Sequence, residues 1–444
     1  MKKYFSFLIV LLMLFVTTSC AKKGPEFKDL VSEKYVVKMA KKDLEKSLNN
    51  NEEYNTFLTK VEDFSYKLSE YVYDDYKEDK NFAISPYSIF MALSMTVEST
   101  NGKTRDEILN ALGLTYDELY TFTKNLYSDH KKTFTTENIL GTEVVQCLED
   151  INNSIWIDED LTLKENTLNS LADNFYVSTY KVPFQDNIKK ANEAFRSYVK
   201  NATRGLIDKE YNISDQTIFM LVNTYYLKDI WDRNVDQLSF TKDTYDFINF
   251  DGTTSNTKLL EGYYFNGKPY VSEMFTTAST RTSHGYRIKF ILPNDGYTVD
   301  DIYTSTVLKE VSENDDYLAI DEVNKECNHT RCYFPEYDAE YDGDIQNTLR
   351  EKFGINSVFN IETADFSNLV DGAAYIQQVL HQTKLVVNSY GIEGAAVTVQ
   401  NVCGSAGPGE YTNVYHTFVV DKAFAFIVSD SSGTVLFTGV TKSI

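Results

Sequence analysis

Positive charge is scarce in this chain. Its 444 residues carry 43 Lys and Arg against 65 Asp and Glu, a net charge of −22 with a pI near 4.7. Such a balance repels nucleic acid and anionic lipid headgroups, and nucleic acid is excluded as a partner. Histidine is also sparse. His130, His284, His329, His381 and His416 are the full set, and none sits in the His-Glu-x-x-His arrangement of a zinc peptidase. There is no phosphate-cradling loop, no dinucleotide fingerprint and no internal repeat. Beyond the first 16 residues no apolar run approaches the roughly 20 residues that a membrane span needs. With 42% hydrophobic and 24% charged residues, what remains is an ordinary globular composition with material for a large core.

The N-terminus has the pattern of an export signal. Lys2 and Lys3 precede an apolar run from Tyr4 to Val16, too short to span a bilayer. Val16-Thr17-Thr18-Ser19-Cys20-Ala21 resembles a bacterial lipoprotein signal, with Cys20 lipidated and N-terminal after removal of residues 1–19. Thr17 stands where Leu is usual, and ordinary secretion is the alternative. The expected product is exported and tethered to a bacterial membrane, periplasmic or at the cell surface. Residues 20–53 are charged and read as a spacer, with a solvated helix over Val31 to Leu48. Asp74 to Lys80 reads as a solvated helix end.

Five cysteines, Cys20, Cys147, Cys327, Cys332 and Cys403, leave four once Cys20 is lipidated, and four allow three pairings. Cys327, His329 and Cys332 offer three metal donors, but no fourth lies at zinc-site spacing. A local disulfide or free thiols are expected there, and no metal.

The compact domain begins near Tyr54. Phe57, Val61, Phe64, Leu68 and Tyr71 recur at helical spacing. Ser85-Pro86 opens a strongly apolar helix through Ile89, Phe90, Leu93 and Met95. Thr104 to Glu107 has the form of a capping box, with Gly113 as the stop. Thr217–Leu227, Tyr286–Leu292, Phe424–Val428 and Thr434–Val440 read as strands, the last two joined by a turn at Asp430-Ser431-Ser432-Gly433. Early helices, late strands and no βαβ alternation indicate an α+β domain with large antiparallel sheets.

Cys403-Gly404-Ser405-Ala406-Gly407 has a superficial likeness to a nucleophile on a tight turn, but it lacks the Gly-x-Ser-x-Gly spacing. With Gly404, Gly407, Pro408 and Gly409 it reads as an exposed loop, and no histidine partner is indicated. The chain is not expected to be an enzyme.

Four segments carry a family resemblance. Asn81-Phe82-x-x-Ser85-Pro86-x-Ser88-Ile89, Leu221 to Lys228 with Trp231, Ala364-Asp365-Phe366-Ser367, and Gly391 to Thr398 together resemble the serpins, in the same order, from residue 54 to 444. The resemblance implies helices around three β-sheets, a large central sheet and an exposed reactive-centre loop at about 389–419. It implies an inhibitor that acts as a suicide substrate: the cleaved loop inserts as a new central strand and traps the acyl-enzyme. No cofactor is implied, and a monomer is expected. Non-inhibitory serpins keep the same scaffold, so a surface binding protein is the alternative.

Residue by residue, the hinge is Gly391, Ile392, Glu393, Gly394, Ala395, Ala396, Val397 and Thr398. Alternation places Ile392, Gly394, Ala396 and Thr398 inward, a set without charge, and leaves Glu393 outward. Ser85, Ser88, Asn223 and His381 correspond to the polar cluster that holds the parting strands. The forward count from the hinge places the reactive bond at Ser405-Ala406; a backward count points near Thr412-Asn413. No Lys or Arg occurs between Gly391 and Val420, so elastase-like, subtilisin-like or chymotrypsin-like serine proteases are favoured over trypsin-like ones, with cysteine proteases kept open. Three positions depart from the family: Asp229 for Gly, Lys422-Ala423-Phe424 for His-Pro-Phe, and Ile392 for Thr. The first two are expected to affect packing, the third the moving part.

Overall fold

The structure is a computed structural model that describes residues 31–48, 51–76, 78–137, 143–231, 237–314, 319–393 and 411–444. The first half contains β1 (Val36–Lys38), α1 (Glu52–Asp75), β2 (Phe82–Ile84), α2 (Pro86–Ser99), α3 (Gly102–Leu112), α4 (Tyr116–Asp129), β3 (Lys132–Glu137), β4 (Glu143–Asp158), α5 (Glu165–Asn174), β5 (Val177–Val182), α6 (Ile188–Ala202) and β6 (Phe219–Ile230). Then come β7 (Tyr245–Ile248), β8 (Thr254–Thr257), β9 (Leu260–Asn266), β10 (Tyr270–Val271), β11 (Phe275–Arg281), β12 (Arg287–Pro293), α7 (Val299–Ile302) and α8 (Ser305–Glu313). The last part is β13 (Ile320–Asp321), β14 (Glu326–Phe334), β15 (Tyr337–Asp344), α9 (Gln346–Phe353), β16 (Leu380–Asn388), β17 (Gly391–Ile392), β18 (Thr412–Val419), β19 (Phe424–Ser429) and β20 (Val435–Thr441).

Among the described residues the strands form an eight-stranded sheet in the order β1-β5-β4-β6-β17-β16-β15, with β3 added to β4; a six-stranded sheet β10-β11-β12-β19-β20-β2; a four-stranded sheet around β14; and the β7-β8 hairpin. The expected α+β class holds. Two pairings depart from the antiparallel expectation: β4 and β5 are parallel, joined through α5 as a βαβ crossover that the sequence pattern did not show, and β14 and β18 are parallel.

Helix α1 buries Phe57, Val61, Phe64, Leu68 and Val72 along one face, and Asn51 caps it by accepting the Tyr54 amide at 2.9 Å. Helix α2 starts with Pro86 behind the Ser85 cap and is buried almost throughout, so it is the central helix behind the large sheet. The proposed box at Thr104 does not form. Helix α3 begins at Gly102, and Glu107 instead accepts the amides of Asn356 and Ser357 at 2.8 and 2.6 Å. Gly113 does end α3, with the left-handed φ of +67° that favours glycine. A second, smaller core lies under α6, where Trp156 stacks on Tyr180 at 4.5 Å and meets Phe195 and Tyr198 edge-on. The large sheet is thus covered by α2 on one face and α6 on the other.

Residues 31–48 are not a solvated helix. A 3₁₀ turn at Ser32–Tyr35 leads into β1, which adds an edge strand beside β5. Beyond it Lys41 donates its amide to the Ala172 carbonyl at 3.0 Å, Glu45 donates its amide to Ser128, and Tyr176 donates to the Asp43 carbonyl. These contacts run through the backbone, so they leave no apolar pattern in the sequence.

Candidate functional site

The site is the seam between β6 and β16. Both strands offer alternate inward residues, but among the described residues no ladder joins them directly; only the two residues of β17 lie between, antiparallel to each. Gly391 pairs with Ile230 and Asn388, and Ile392 with Asp229 and Val387. Ile392 is fully buried, so the larger residue in place of Thr is accommodated. Gly391 is required by space: a Cβ there would fall 2.1 Å from the Asp229 carbonyl oxygen. Trp231 closes this end by donating its indole N–H to the Asn388 carbonyl at 2.6 Å.

Glu393 follows the last residue of β17, with its carboxyl near Lys228. Its amide donates to the Val386 carbonyl at 3.0 Å, with a left-handed φ of +44°. Burial pushes its carboxyl up to about 7, opposed by the nearby Lys228 ammonium. Burial in turn lowers Lys228. The rest of the expected hinge, Gly394, Ala395, Ala396, Val397 and Thr398, and the expected bond Ser405-Ala406 lie outside the described residues, as do Cys20 and Cys403. Thr412-Asn413 lies within β18, paired in parallel with Glu326 and Cys327 of β14.

Lower on the seam the structure brings Ser85, Ser88, Asn223 and His381 together. His381 Nε2 accepts the Ser85 amide at 3.2 Å and the Thr383 hydroxyl at 2.6 Å. Ser85 Oγ accepts the Ser88 amide at 3.3 Å, and the Ser88 hydroxyl donates to Asn223 Oδ1. Asn223 Nδ2 then donates to Asn153 Oδ1 at 2.6 Å, and Asn153 to the Phe175 carbonyl at 2.8 Å. A polar chain therefore runs from β16 through the start of α2 to β6 and β4. Burial depresses His381 to about 3, so it is a neutral acceptor. Sequence reasoning missed Thr383 and Asn153. Thr383 was accessible in principle, since it follows His381 by two residues and shares its face.

A narrow cleft lies on the α6 side of the seam, lined by Phe195, Tyr211, Leu221, Val222 and Gln382. A second lies on the α2 side, lined by Ser88, Leu93, Leu221, Asn223 and His381. Leu221 and Asn223 border both.

The donors of Cys327, His329 and Cys332 are not assembled. All three lie on β14, where Cys332 is buried and Cys327 half-buried, and His329 contacts Asn413 at 3.2 Å. Five residues of extended chain span about 16 Å, beyond disulfide reach, so the expected local disulfide is excluded. Among the described residues Cys147, Cys327 and Cys332 form no disulfide with one another. Among the described residues no helix is long and apolar enough to cross a membrane.

The sequence profile described as Serpin (serine protease inhibitor) matches residues 59–443. The chain belongs to the serpin family. Human neuroserpin is 25% identical over 386 residues, covering 82% of this chain and 86% of that protein. The native state of the thermophilic serpin tengpin superposes with a TM-score of 0.70 at 23% identity, over 92% of this chain and 98% of that one. Thyroxine-binding globulin in complex with thyroxine has a TM-score of 0.67 at 21% identity, over 87% and 99%. The serpin fold is therefore established, and family membership supports protease inhibition in general rather than enzymatic activity.

Proposed function

We propose that this serpin inhibits serine proteases irreversibly, by inserting its cleaved reactive loop between β6 and β16. The observation that carries the reading is the two-sided pairing of Gly391 and Ile392. The first residues of the loop already occupy the slot, in the orientation that the rest must adopt.

That register can be extended. In the proposed inserted state each residue after Ile392 would move one position down both neighbours, so Gly394 would stand opposite Leu227 and Leu385, Ala396 opposite Tyr225 and Thr383, and Thr398 opposite Asn223 and His381. Leu385, Thr383 and His381 are the inward residues of β16, so the inserted face meets the core with small, uncharged side chains. Ten residues beyond Ile392 the strand reaches Phe219, the end of β6, opposite position 402. Ser405 would lie three residues past that end, and insertion would carry a protease bound there to the far pole. This length supports Ser405-Ala406 as the reactive bond. Thr412-Asn413 is disfavoured because its backbone is committed to the β14 ladder. Small residues at the bond suit elastase-like or subtilisin-like proteases; Tyr411 and Tyr415 leave a chymotrypsin-like target open.

The mature protein is read as a monomer, exported and held at a bacterial membrane by lipidated Cys20. Residues 20–30 would then be the only free tether, with a reach of about 35–40 Å, because residues 31–48 pack on the domain. The non-inhibitory alternative comes from the shared scaffold, and Ile392 is the hinge residue that leans toward it; its full burial supports the inhibitory reading. Nicking the loop with a non-target protease tests insertion: the melting temperature is expected to rise, and an unchanged value would count against the reading.

A further inference from the structure

Asp229, the family departure expected to matter only for packing, is fully buried and faces His284. Its Oδ1 lies 2.6 Å from His284 Nδ1, and its Oδ2 accepts the His284 amide at 2.9 Å. His284 sits in the turn between β11 and β12, with Phe134 stacked on its ring at 4.6 Å. Cys147 of β4 completes a trio: one donor atom from each of Cys147, Asp229 and His284 lies within 4.8 Å of the others. Three different elements supply them, and two belong to the large sheet while the third belongs to the six-stranded one.

We propose that Cys147, Asp229 and His284 form a binding site for a single zinc-class divalent ion. A tetrahedral ion bound at the usual 2.0–2.3 Å holds its donors about 3.3–3.6 Å apart, so closing the site draws Cys147 in from within 4.8 Å and opens the 2.6 Å Asp229–His284 contact, which the ion replaces. Thiolate and imidazole donors select zinc-like ions over magnesium or calcium. Burial and the Asp229 carboxylate keep the Cys147 thiol protonated without metal. Binding therefore breaks the S–H bond, releases that proton to solvent and forms the sulfur–metal bond, while the proton that His284 Nδ1 donates to Asp229 moves to Nε2, which frees the Nδ1 lone pair and the Asp229 carboxylate for the ion. The fourth position is left for water. Around the trio, Tyr286 approaches Cys147 Sγ at 3.9 Å and donates to Glu149 at 2.6 Å, a hydrogen-bonded surround of the kind that orients metal ligands.

Asp229 is also the residue opposite Ile392, where the loop enters the sheet. A bound ion would tie β4 and β6 to the other sheet at that point and slow insertion. The site stands without the inhibitory reading; this consequence rests on it.

The test is a titration of the reduced, metal-free mature protein with Co²⁺. One equivalent is expected to bind, with a near-ultraviolet thiolate-to-cobalt absorption and release of one proton, and Zn²⁺ is expected to displace it. Cys147→Ser should abolish the absorption, His284→Ala should weaken binding about tenfold or more, and Cys327→Ser should leave it intact. If Cys147→Ser does not fold, alkylation of the unaltered protein replaces it: Zn²⁺ should protect the peptide that carries Cys147. Absence of binding, absorption retained in folded Cys147→Ser, or no protection of Cys147 would overturn the site. Binding at this site with an unchanged rate of protease trapping would overturn only the coupling to insertion.

Discussion

Ile392 pairs with Asp229 at the upper end of the large sheet, and the pair fixes the position from which the rest of the loop is measured. Because Ile392 is fully buried there, a charge at this position must leave the slot or be desolvated at a cost of several kcal/mol. Ile392→Arg is expected to undock the hinge, with faster backbone hydrogen exchange over residues 389–393, and to abolish trapping while leaving the bait cleavable.

Ala396 tests the extended register. In the proposed inserted strand it would stand opposite Tyr225 and the inward Thr383, so Ala396→Glu would put a carboxylate on that strand's buried face. The variant should be cut by its target without forming an adduct. Persistent stoichiometric inhibition would show that the register is wrong.

The hinge and the polar cluster respond to pH in opposite senses. Glu393 has its folded value raised from 4.5 to about 7 by burial, so the docked hinge is favoured below about pH 4.5 and loses that contribution as pH rises through 7. Protection factors at residues 389–393, taken against the intrinsic exchange rate at each pH, should be lower at pH 8 than at pH 5, and Glu393→Gln should flatten the difference. His381 has its value lowered from 6.5 to about 3, so its contribution to the closed sheet is present above pH 6.5 and is lost as pH falls toward 3. Spontaneous opening, followed as conversion to an inserted or polymeric form, should accelerate below pH 6.

Asn223 links the two sides of the cluster, accepting from Ser88 and donating to Asn153. Asn223→Ala removes both bonds and leaves buried partners unsatisfied, a loss of about 1–3 kcal/mol. A lower melting temperature and faster spontaneous insertion are expected, and an unchanged insertion rate would remove the cluster from the switch.

The elements with strong periodicity were legible in the sequence. The face of α1, the Ser85-Pro86 start of α2 and the strands β6, β12, β19 and β20 lie where the apolar pattern placed them, within a few residues. The polar cluster was not legible from pattern, because Ser85 and His381 are separated by nearly 300 positions; the family resemblance alone joined them. Glu107 misled because an acidic residue three places after a threonine looks the same whether it caps its own helix or, as here, the amides of Asn356 and Ser357. Asp229 was visible as a departure, yet its partner His284 comes from another sheet and Cys147 from a third element, so no local spacing could unite them. The N-terminal segment was misread because backbone hydrogen bonds to Ala172 and Ser128 hold it, and those carry no side-chain signature.

The most direct test of the central claim is to mix the mature protein with elastase, subtilisin and chymotrypsin, and to analyse denaturing gels together with the mass of the released loop peptide. Loop insertion predicts a denaturation-resistant adduct with at least one of them and a peptide beginning at Ala406. Cleavage of the loop by all three with no adduct would contradict it.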